Sequence, residues 1–155
     1  MITTTKGDLL KTGFTGPGAT VVVTVNTVGV MGAGLAKMAA QAFPDLERAY
    51  RAALKSGLLE IGSVFVVRDK YDHRWALFPT KTDWRKPSKL EYIQAGLPAL
   101  VQAISDMREE GYPTPSVAIP KLGCGLGDLD WADVKPLILE ACRSIPEETQ
   151  VLIYE

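Results

Sequence analysis

The hydrophobic positions of the chain fall into short β-branched runs separated by longer stretches with helical spacing. Residues 20–25 are Thr and Val throughout, which is typical of a strand buried on both faces, as in parallel sheets. The charged turn 68–74 joins two further runs and would place His73 at a solvated hairpin edge. The predicted strands are residues 20–25, 64–67, 75–78, 117–119 and 151–154.

Helical spacing is clearest over residues 90–110, where apolar side chains recur every three or four positions. The stripe consists of Leu90, Ile93, Leu97, Leu100, Val101, Ile104 and Met107. Residues 35–54 predict two helices separated at Pro44, and Asp130 is a suitable N-cap for a helix over 131–142. The alternation of strands and helices predicts an α/β domain with a largely parallel or mixed sheet.

Composition limits the class of protein further. The chain has 155 residues, 46% of them hydrophobic and 23% charged, the balance of one globular domain. Its net charge of −1 provides no global field toward nucleic acid or an anionic membrane, so any polyanion site must be local. No apolar run approaches the ~20 residues of a membrane span, and the polar start with Asp8 does not resemble a secretory signal. We therefore expect a cytoplasmic protein without membrane contact.

Metal and disulfide chemistry have little support in the sequence. The chain has one histidine, His73, and two cysteines, Cys124 and Cys142, too few for a disulfide framework or a four-ligand zinc site. We expect no metal, and we expect Cys142 to lie in the core. Cys124 is interpreted as a small residue in a tight loop, because the sequence offers no histidine partner that would activate it as a nucleophile.

Two glycine-rich loops are the main functional signal. Residues 26–34 (Asn-Thr-Val-Gly-Val-Met-Gly-Ala-Gly) and 121–127 (Lys-Leu-Gly-Cys-Gly-Leu-Gly) each follow a predicted strand and precede a helix. Glycine lets backbone amides approach an anion, and a helix N-terminus adds partial positive charge, so the loops suit a pyrophosphate. Tight strand-to-helix turns are the alternative, but two such loops at one end of a sheet favour the phosphate ligand.

The loops match neither of the common nucleotide-binding patterns. The Gly-Lys-Ser/Thr of a P-loop is absent, which argues against hydrolysis of a nucleoside triphosphate. The glycine spacing at 29, 32 and 34 reverses the dinucleotide fingerprint, and no acidic residue ends a strand about twenty residues later. A dehydrogenase is therefore not indicated.

Lys81 follows a predicted strand and lies between the two loops in sequence. A lysine there is either a counter-charge to the phosphates or an amine nucleophile that attacks an anomeric carbon; residue type alone favours the counter-charge. Residues 81–89 contain four basic residues, one acid and Trp84, a composition that suits single-stranded nucleic acid. The alternative is that Trp84 packs under the loop and the cations are solvated.

Four segments resemble the macrodomain family, the ADP-ribose-binding fold. They are Gly-Asp-Leu-Leu at 7–10, Val-Asn-Thr-Val-Gly-Val-Met-Gly at 25–32, Ile-Pro-Lys-Leu-Gly-Cys-Gly-Leu-Gly at 119–127, and residues 78–97 beginning Phe-Pro-Thr-Lys. The last resembles the lysine-bearing segment of DarG antitoxins and of the terminal ADP-ribose protein glycohydrolase. The resemblance implies a single macrodomain over residues 1–155: a three-layer α/β/α fold with a central mixed, largely parallel six-stranded sheet.

The resemblance also implies an activity and a site. The expected reaction is removal of ADP-ribose from thymidine bases of single-stranded DNA, with Lys81 as the catalytic residue through a ring-opened, lysine-linked imine. Asp8 would contact the adenine amino group, Tyr154 would flank the adenine, and Asn26 with the following loop would surround the distal ribose. The implied ligand-binding set is Asp8, Leu9, Asn26, Thr27, Val28, Gly29, Val30, Met31, Gly32, Thr80, Gly123, Cys124, Gly125, Leu126, Gly127 and Tyr154. The expected DNA contacts are Trp84, Arg85 and Lys86.

One departure separates this chain from the protein-directed relative, whose loop carries a catalytic aspartate where Gly127 stands here. Asp128 is one residue later; it either turns into the site or is a solvated loop acid, the interpretation we favour. Gly127 resembles DarG. Two alternatives stay open: hydrolysis of ADP-ribose esters on acidic side chains or of O-acetyl-ADP-ribose, and a non-catalytic ADP-ribose-binding module in which Lys81 only contacts the ligand.

The expected partners follow from the same resemblance. They are ADP-ribosylated single-stranded DNA and ADP-ribose itself, which is ligand or product. A DarT-like toxin is a partner only if a further domain exists. No cofactor is implied, and we expect a monomer.

Overall fold

The computed structural model describes all residues, 1–155, and contains one six-stranded sheet. The strand order is β1-β6-β5-β2-β4-β3; every neighbouring pair is parallel except β3 and β4. The strands are β1 (Ile2–Thr5), β2 (Thr20–Asn26), β3 (Phe65–Arg68), β4 (Arg74–Lys81), β5 (Ser116–Ile119) and β6 (Gln150–Tyr154). The helices are α1 (Leu9–Thr12), α2 (Gly34–Ala42), α3 (Asp45–Lys55), α4 (Leu90–Glu109) and α5 (Trp131–Cys142), with a 3₁₀ turn at Gly125–Gly127.

The alternation of side chains along β2 builds a core on each face of the sheet. Val22 faces a cluster that α4 and α5 cover with Ile93 and Ile138. Val21 and Val23 face the opposite cluster, which contains Leu46 of α3. Because successive side chains of a strand point to opposite faces, an all-apolar strand requires helices on both sides. The predicted three-layer α/β/α fold with a mixed, largely parallel sheet is confirmed.

Hydrophobic pattern did not predict the first strand or the short helix after it. β1 contains three threonines and pairs with β6 at the sheet edge, where two of its four side chains are exposed. An edge strand of this kind buries too little apolar surface to leave a periodic signal.

The solvated position expected for His73 is only partly correct. Its ring stacks on Phe14 at 4.5 Å, and its side chain is 27% exposed. Cys142 is buried, as predicted. No helix in the structure has both the length and the apolar character needed to cross a membrane.

Strand β4 extends beyond its predicted end, and this extension positions Lys81. Val25 of β2 pairs with Pro79, whereas Asn26 pairs with Lys81, so one irregularity in register accommodates Thr80. Since β2, β4 and β5 are mutually parallel, their carboxyl ends lie at one edge of the sheet. The three segments that follow are called here the β2 loop (27–33), the β4 loop (82–89) and the β5 loop (120–130).

Candidate active site

The three loops surround a cleft of about 450 Å³ at the carboxyl edge of the sheet. A groove of about 920 Å³ between α3 and the β3 hairpin is larger, but it contains none of the predicted site residues. Of the predicted residues, those lining the cleft are Asn26, Val30, Gly32, Thr80, Lys81, Trp84, Gly123, Cys124, Leu126 and Gly127. The cleft is therefore where the fold brings the two glycine loops and the lysine together.

Asn26 organises the β2 loop through its side chain. Its Oδ1 accepts hydrogen bonds from the amides of Val28, Gly29 and Val30 at 3.1, 3.1 and 3.3 Å, and its Nδ2 donates to the Val30 carbonyl at 2.8 Å. The hydroxyl of Tyr50 donates to the same Oδ1 at 2.8 Å. Through these bonds Asn26 shapes the loop, and its contact with the ribose stays a prediction.

Tyr50 and Arg51 of α3 form hydrogen bonds that fix this loop against the helix. The Tyr50 hydroxyl also donates to the backbone oxygen of Asn26 at 2.6 Å, and burial raises the pKa of Tyr50 to about 12. Arg51 Nε donates to the Gly29 carbonyl at 3.0 Å. Gly29 has a φ of +92°. Residues with a Cβ adopt this backbone conformation at a higher free-energy cost than glycine does.

Only part of the β2 loop and the start of α2 keep their amides available to a ligand. Those of residues 28–30 are bound to Asn26, and the amide of Thr27 donates to the Lys81 carbonyl at 3.1 Å. The amides of residues 31–36 donate no hydrogen bond within the protein, and those of 34–36 form the first turn of α2. Gly34, Leu35 and Ala36 line the cleft, although their helical pattern had not identified them as site residues.

The β5 loop presents a second group of amides to the same cleft. Gly125, Leu126 and Gly127 form the 3₁₀ turn, and none of their amides donates a hydrogen bond within the protein. Gly123 has a φ of +74° and Gly125 one of +69°. Two groups of free amides across one cleft are suited to an anion with two phosphates.

Lys81 lies between these groups of amides. Its Nζ donates to the Leu126 carbonyl at 2.9 Å, so the side chain reaches from the end of β4 to the β5 loop. The Thr27 hydroxyl donates to the Thr82 carbonyl at 3.1 Å, which ties the β2 loop to the residue after the lysine. No aspartate or glutamate lines the cleft, so the ammonium group has no carboxylate partner there.

Ser88 is a cleft residue that the sequence analysis missed. Its amide donates to the Gly127 carbonyl at 3.0 Å, and its buried hydroxyl has no hydrogen-bond partner within the protein. A Cβ at Gly127 would lie 2.5 Å from Ser88 Oγ and 3.9 Å from Lys81 Cε. Ser88 therefore explains why position 127 is glycine, since any side chain there would collide with it. No periodicity or motif marks a single serine before a helix.

The β5 loop also carries two polar side chains, Asp128 and Cys124. Asp128 is exposed, adopts a left-handed conformation with a φ of 65°, and does not line the cleft, the location of a solvated loop acid. Cys124 does line the cleft, and partial burial raises the pKa of its thiol. A raised pKa keeps the thiol protonated near neutral pH and disfavours nucleophilic attack.

Several residues of the implied ligand set lie outside this cleft. Asp8 caps α1 by accepting a hydrogen bond from the Leu10 amide at 3.0 Å. Leu9 and Met31 are buried in the core on the α3 side of the sheet. Tyr154 is buried, and its hydroxyl lies 2.7 Å from the hydroxyl of Thr12. The structure does not bring these side chains to the wall that holds Lys81, and their adenine contacts stay predictions.

The β4 loop carries an exposed aromatic side chain at the edge of the cleft. Trp84 lines the cleft and is 55% exposed, so it does not pack under the loop. Arg85 forms two hydrogen bonds with the Asp83 carboxylate, at 2.9 and 2.6 Å, which hold the pKa of Asp83 well below its usual range. Arg85, one of the expected DNA contacts, is thus paired with Asp83, because the turn brings the two side chains together; its contact with DNA stays a prediction.

Metal ligands do not converge anywhere in the structure, since no three His, Cys, Asp or Glu side chains form a group that could hold an ion. The site is thus a pocket of backbone amides with the partly buried amine of Lys81 between them and the exposed Lys121 in its lining. Such an arrangement defines a domain that binds a phosphate-containing nucleotide.

Comparison with known proteins identifies the family. The Macro domain family model matches residues 22–138, and the chain belongs to the macrodomain family. It is 41% identical, over 162 aligned residues covering all of this chain, to the DNA ADP-ribosyl glycohydrolase of Thermus aquaticus. The chain spans about two fifths of the length of the curated relatives that it matches.

Solved structures agree with this assignment. The macrodomain of Mycobacterium tuberculosis DarG superposes with a TM-score of 0.85 at 41% identity, covering 99% of this chain and 97% of that one. Thermosipho africanus DarTG in complex with ADP-ribose superposes with a TM-score of 0.81 at 31% identity, covering 98% of this chain and 41% of that one. The resemblance to DarG macrodomains is confirmed.

Proposed function

We propose that this protein is an ADP-ribosyl glycohydrolase that releases ADP-ribose from thymidine bases of single-stranded DNA, with Lys81 as its catalytic residue. Two kinds of observation support the proposal. The chain is 41% identical over its full length to a DNA ADP-ribosyl glycohydrolase, and its cleft combines two groups of free amides with the partly buried Lys81 between them.

The position of Lys81 carries the mechanistic part of the proposal. Its Nζ bridges the cleft to the Leu126 carbonyl at 2.9 Å, between the amides that would hold a pyrophosphate. No carboxylate lines the cleft, so a route with an acidic side chain as the nucleophile or general base has no residue to perform it. The lysine amine is the nucleophile that the lining provides.

The reaction can be written with these groups alone. The Lys81 ammonium group first loses a proton to water. The amine then donates its electron pair to the anomeric carbon, and the bond from that carbon to the thymine nitrogen breaks. The thymine nitrogen keeps the bonding electrons and takes a proton from the new ammonium group. The sugar ring of the adduct opens to an imine, water adds to the imine carbon, and the amine leaves as free ADP-ribose forms.

A single-turnover assay tests this proposal on an oligonucleotide modified at thymidine. Wild type should release ADP-ribose, and both Lys81→Ala and Lys81→Arg should abolish release, because arginine keeps the charge but lacks the nucleophilic amine. Lys55→Ala, an exposed position at the end of α3, is the matched control. Cyanoborohydride should trap the imine as a covalent adduct on Lys81, visible by mass spectrometry.

The other outcomes separate the alternatives. Full release by Lys81→Arg would make the lysine a counter-charge and refute its nucleophilic role. Release only from a glutamate-modified peptide would indicate an ester hydrolase. Tight binding of ADP-ribose without release from either substrate would indicate a binding module.

The proposed partners follow from the relatives. The Thermosipho africanus relative, 36% identical over 154 residues, is a fusion of a DNA ADP-ribosyl transferase with a DNA ADP-ribosyl glycohydrolase. A transferase of that kind would supply the substrate of this protein, and ADP-ribose would be the product. The lysine amine and water suffice for the reaction, so the proposal needs no cofactor. The cytoplasmic location and the monomeric state stay predictions.

A further inference from the structure

Trp84 exposes a large aromatic surface at the edge of the cleft. The indole is 55% exposed and lines the same cleft as Lys81. The other two tryptophans are anchored: Trp75 is buried, and Trp131 Nε1 donates to Glu155 at 2.8 Å. An exposed tryptophan beside a ligand cleft is a common contact for a flat ring.

The neighbours of Trp84 fix the turn and leave one ring face open. Arg85 lies over the indole with its guanidinium carbon 5.5 Å from the ring centroid. Asp83 accepts hydrogen bonds from both the side chain and the amide of Arg85, and its carbonyl accepts from the Lys86 amide at 3.0 Å. The turn at 83–86 is therefore pre-organised, with one face of the indole covered by a neutralised arginine.

Positive charge continues outward from the tryptophan along the same loop. Lys86 and Lys89 are exposed and form no salt bridge within the protein. With Arg85 neutralised, these two lysines are the free cations of the β4 loop. An open aromatic face next to unpaired cations is complementary to a single strand, whose bases stack while its phosphates contact the lysines.

We propose that Trp84 is a stacking platform for the nucleobase adjacent to the ADP-ribosylated thymidine, with Lys86 contacting the strand's phosphates. The proposal rests on the proposed function, because it assumes that the substrate is single-stranded DNA. The modified base must lie at Lys81, whereas Trp84 stands on the β4 loop at the edge of the cleft with 55% of its surface exposed. Trp84 thus selects for a polynucleotide over a modified nucleoside.

The kinetic test compares a modified oligonucleotide with ADP-ribosyl-thymidine as the nucleoside. Trp84→Ala should raise KM for the oligonucleotide about 5- to 150-fold, the range expected for loss of one stacked base. On the oligonucleotide its kcat should fall much less than KM rises, its kcat/KM should fall less on the nucleoside than on the oligonucleotide, and Trp84→Phe should recover part of the loss. Tyr71→Ala removes an equally exposed ring far from the cleft and is the matched control.

An abasic neighbour identifies the stacked base directly. Replacing the adjacent nucleotide by an abasic site should raise the wild-type KM as much as Trp84→Ala does, and it should not raise the KM of Trp84→Ala further. Equal losses on oligonucleotide and nucleoside would place the indole on the modified base and overturn the proposal. An unchanged KM on both substrates would also overturn it.

Binding of unmodified DNA keeps this test separate from the proposed function. If the wild type released no ADP-ribose, the proposed function would fail, but fluorescence polarisation with an unmodified single strand would still measure the platform. Trp84→Ala should weaken that binding, and Lys86→Gln should reduce its dependence on log salt by about 0.7. Binding that is insensitive to both substitutions would refute a DNA contact here and leave a protein partner as the occupant of this surface.

Discussion

Replacement of Asn26 by alanine should disorganise the β2 loop and weaken ligand binding. The side chain accepts three backbone hydrogen bonds and the Tyr50 hydroxyl bond, and it donates one to the Val30 carbonyl. Asn26→Ala removes all five contacts while leaving the loop's own sequence intact. The substitution therefore tests whether one side chain determines the loop conformation.

The size of the destabilisation depends on which backbone and side-chain polar groups become accessible to water once the Asn26 side chain is removed. Val28 and Val30 are exposed, so their amides can be rehydrated at little cost. The Tyr50 hydroxyl keeps the backbone oxygen of residue 26 as its acceptor, whereas the buried Gly29 amide loses its partner. Each buried group left without a partner costs about 1–3 kcal/mol. We expect Asn26→Ala to lower the free energy of unfolding by about 1–3 kcal/mol, the cost of the one unpaired Gly29 amide. If ordering the loop for a ligand costs about 2–3 kcal/mol, Kd for ADP-ribose rises about 30- to 150-fold.

Urea unfolding and calorimetric titration with ADP-ribose measure both effects. Tyr50→Phe is the matched control, because it removes one of the five contacts and leaves the three loop amides bonded to Asn26. It should therefore be less destabilised than Asn26→Ala. The reasoning would be refuted if Asn26→Ala unfolded at the wild-type urea concentration and bound ADP-ribose within threefold of wild type.

Three further predictions test the packing around the site. Gly127→Ala should slow ADP-ribose release, because its Cβ would lie 2.5 Å from Ser88 Oγ, and adding Ser88→Gly should restore part of the rate; unaltered release by the single variant would contradict this. The free energy of unfolding should fall between about pH 10 and pH 12, because folded Tyr50 keeps its proton to about 12 while the unfolded chain loses it near 10. Tyr50→Phe should lack this part of the fall in urea titrations; an equal fall would exclude Tyr50. Gly96→Ala should destabilise the fold by about 1–3 kcal/mol, since its Cβ would lie 2.4 Å from Phe78 Cζ; Phe78→Leu should relieve the strain, and an unchanged melting temperature would count against it.

Local sequence pattern was sufficient for most of the elements and for the region of the site. The β-branched run of β2 and the apolar stripe of α4 are periodic signals that burial imposes on the chain itself. The two glycine loops were identifiable because positive φ values at Gly29 and Gly123 restrict the residue type. The strand ahead of Lys81 placed the lysine near both loops, since parallel strands end at one edge.

The tertiary structure alone decided which polar groups act on one another. Asn26 uses its oxygen to bind the loop, because α3 brings Tyr50 beneath it. Ser88 fills the space at Gly127 only once the β4 and β5 loops meet. Sequence pattern records burial and backbone conformation residue by residue, whereas a hydrogen bond between distant segments depends on distances that exist only after the sheet has formed.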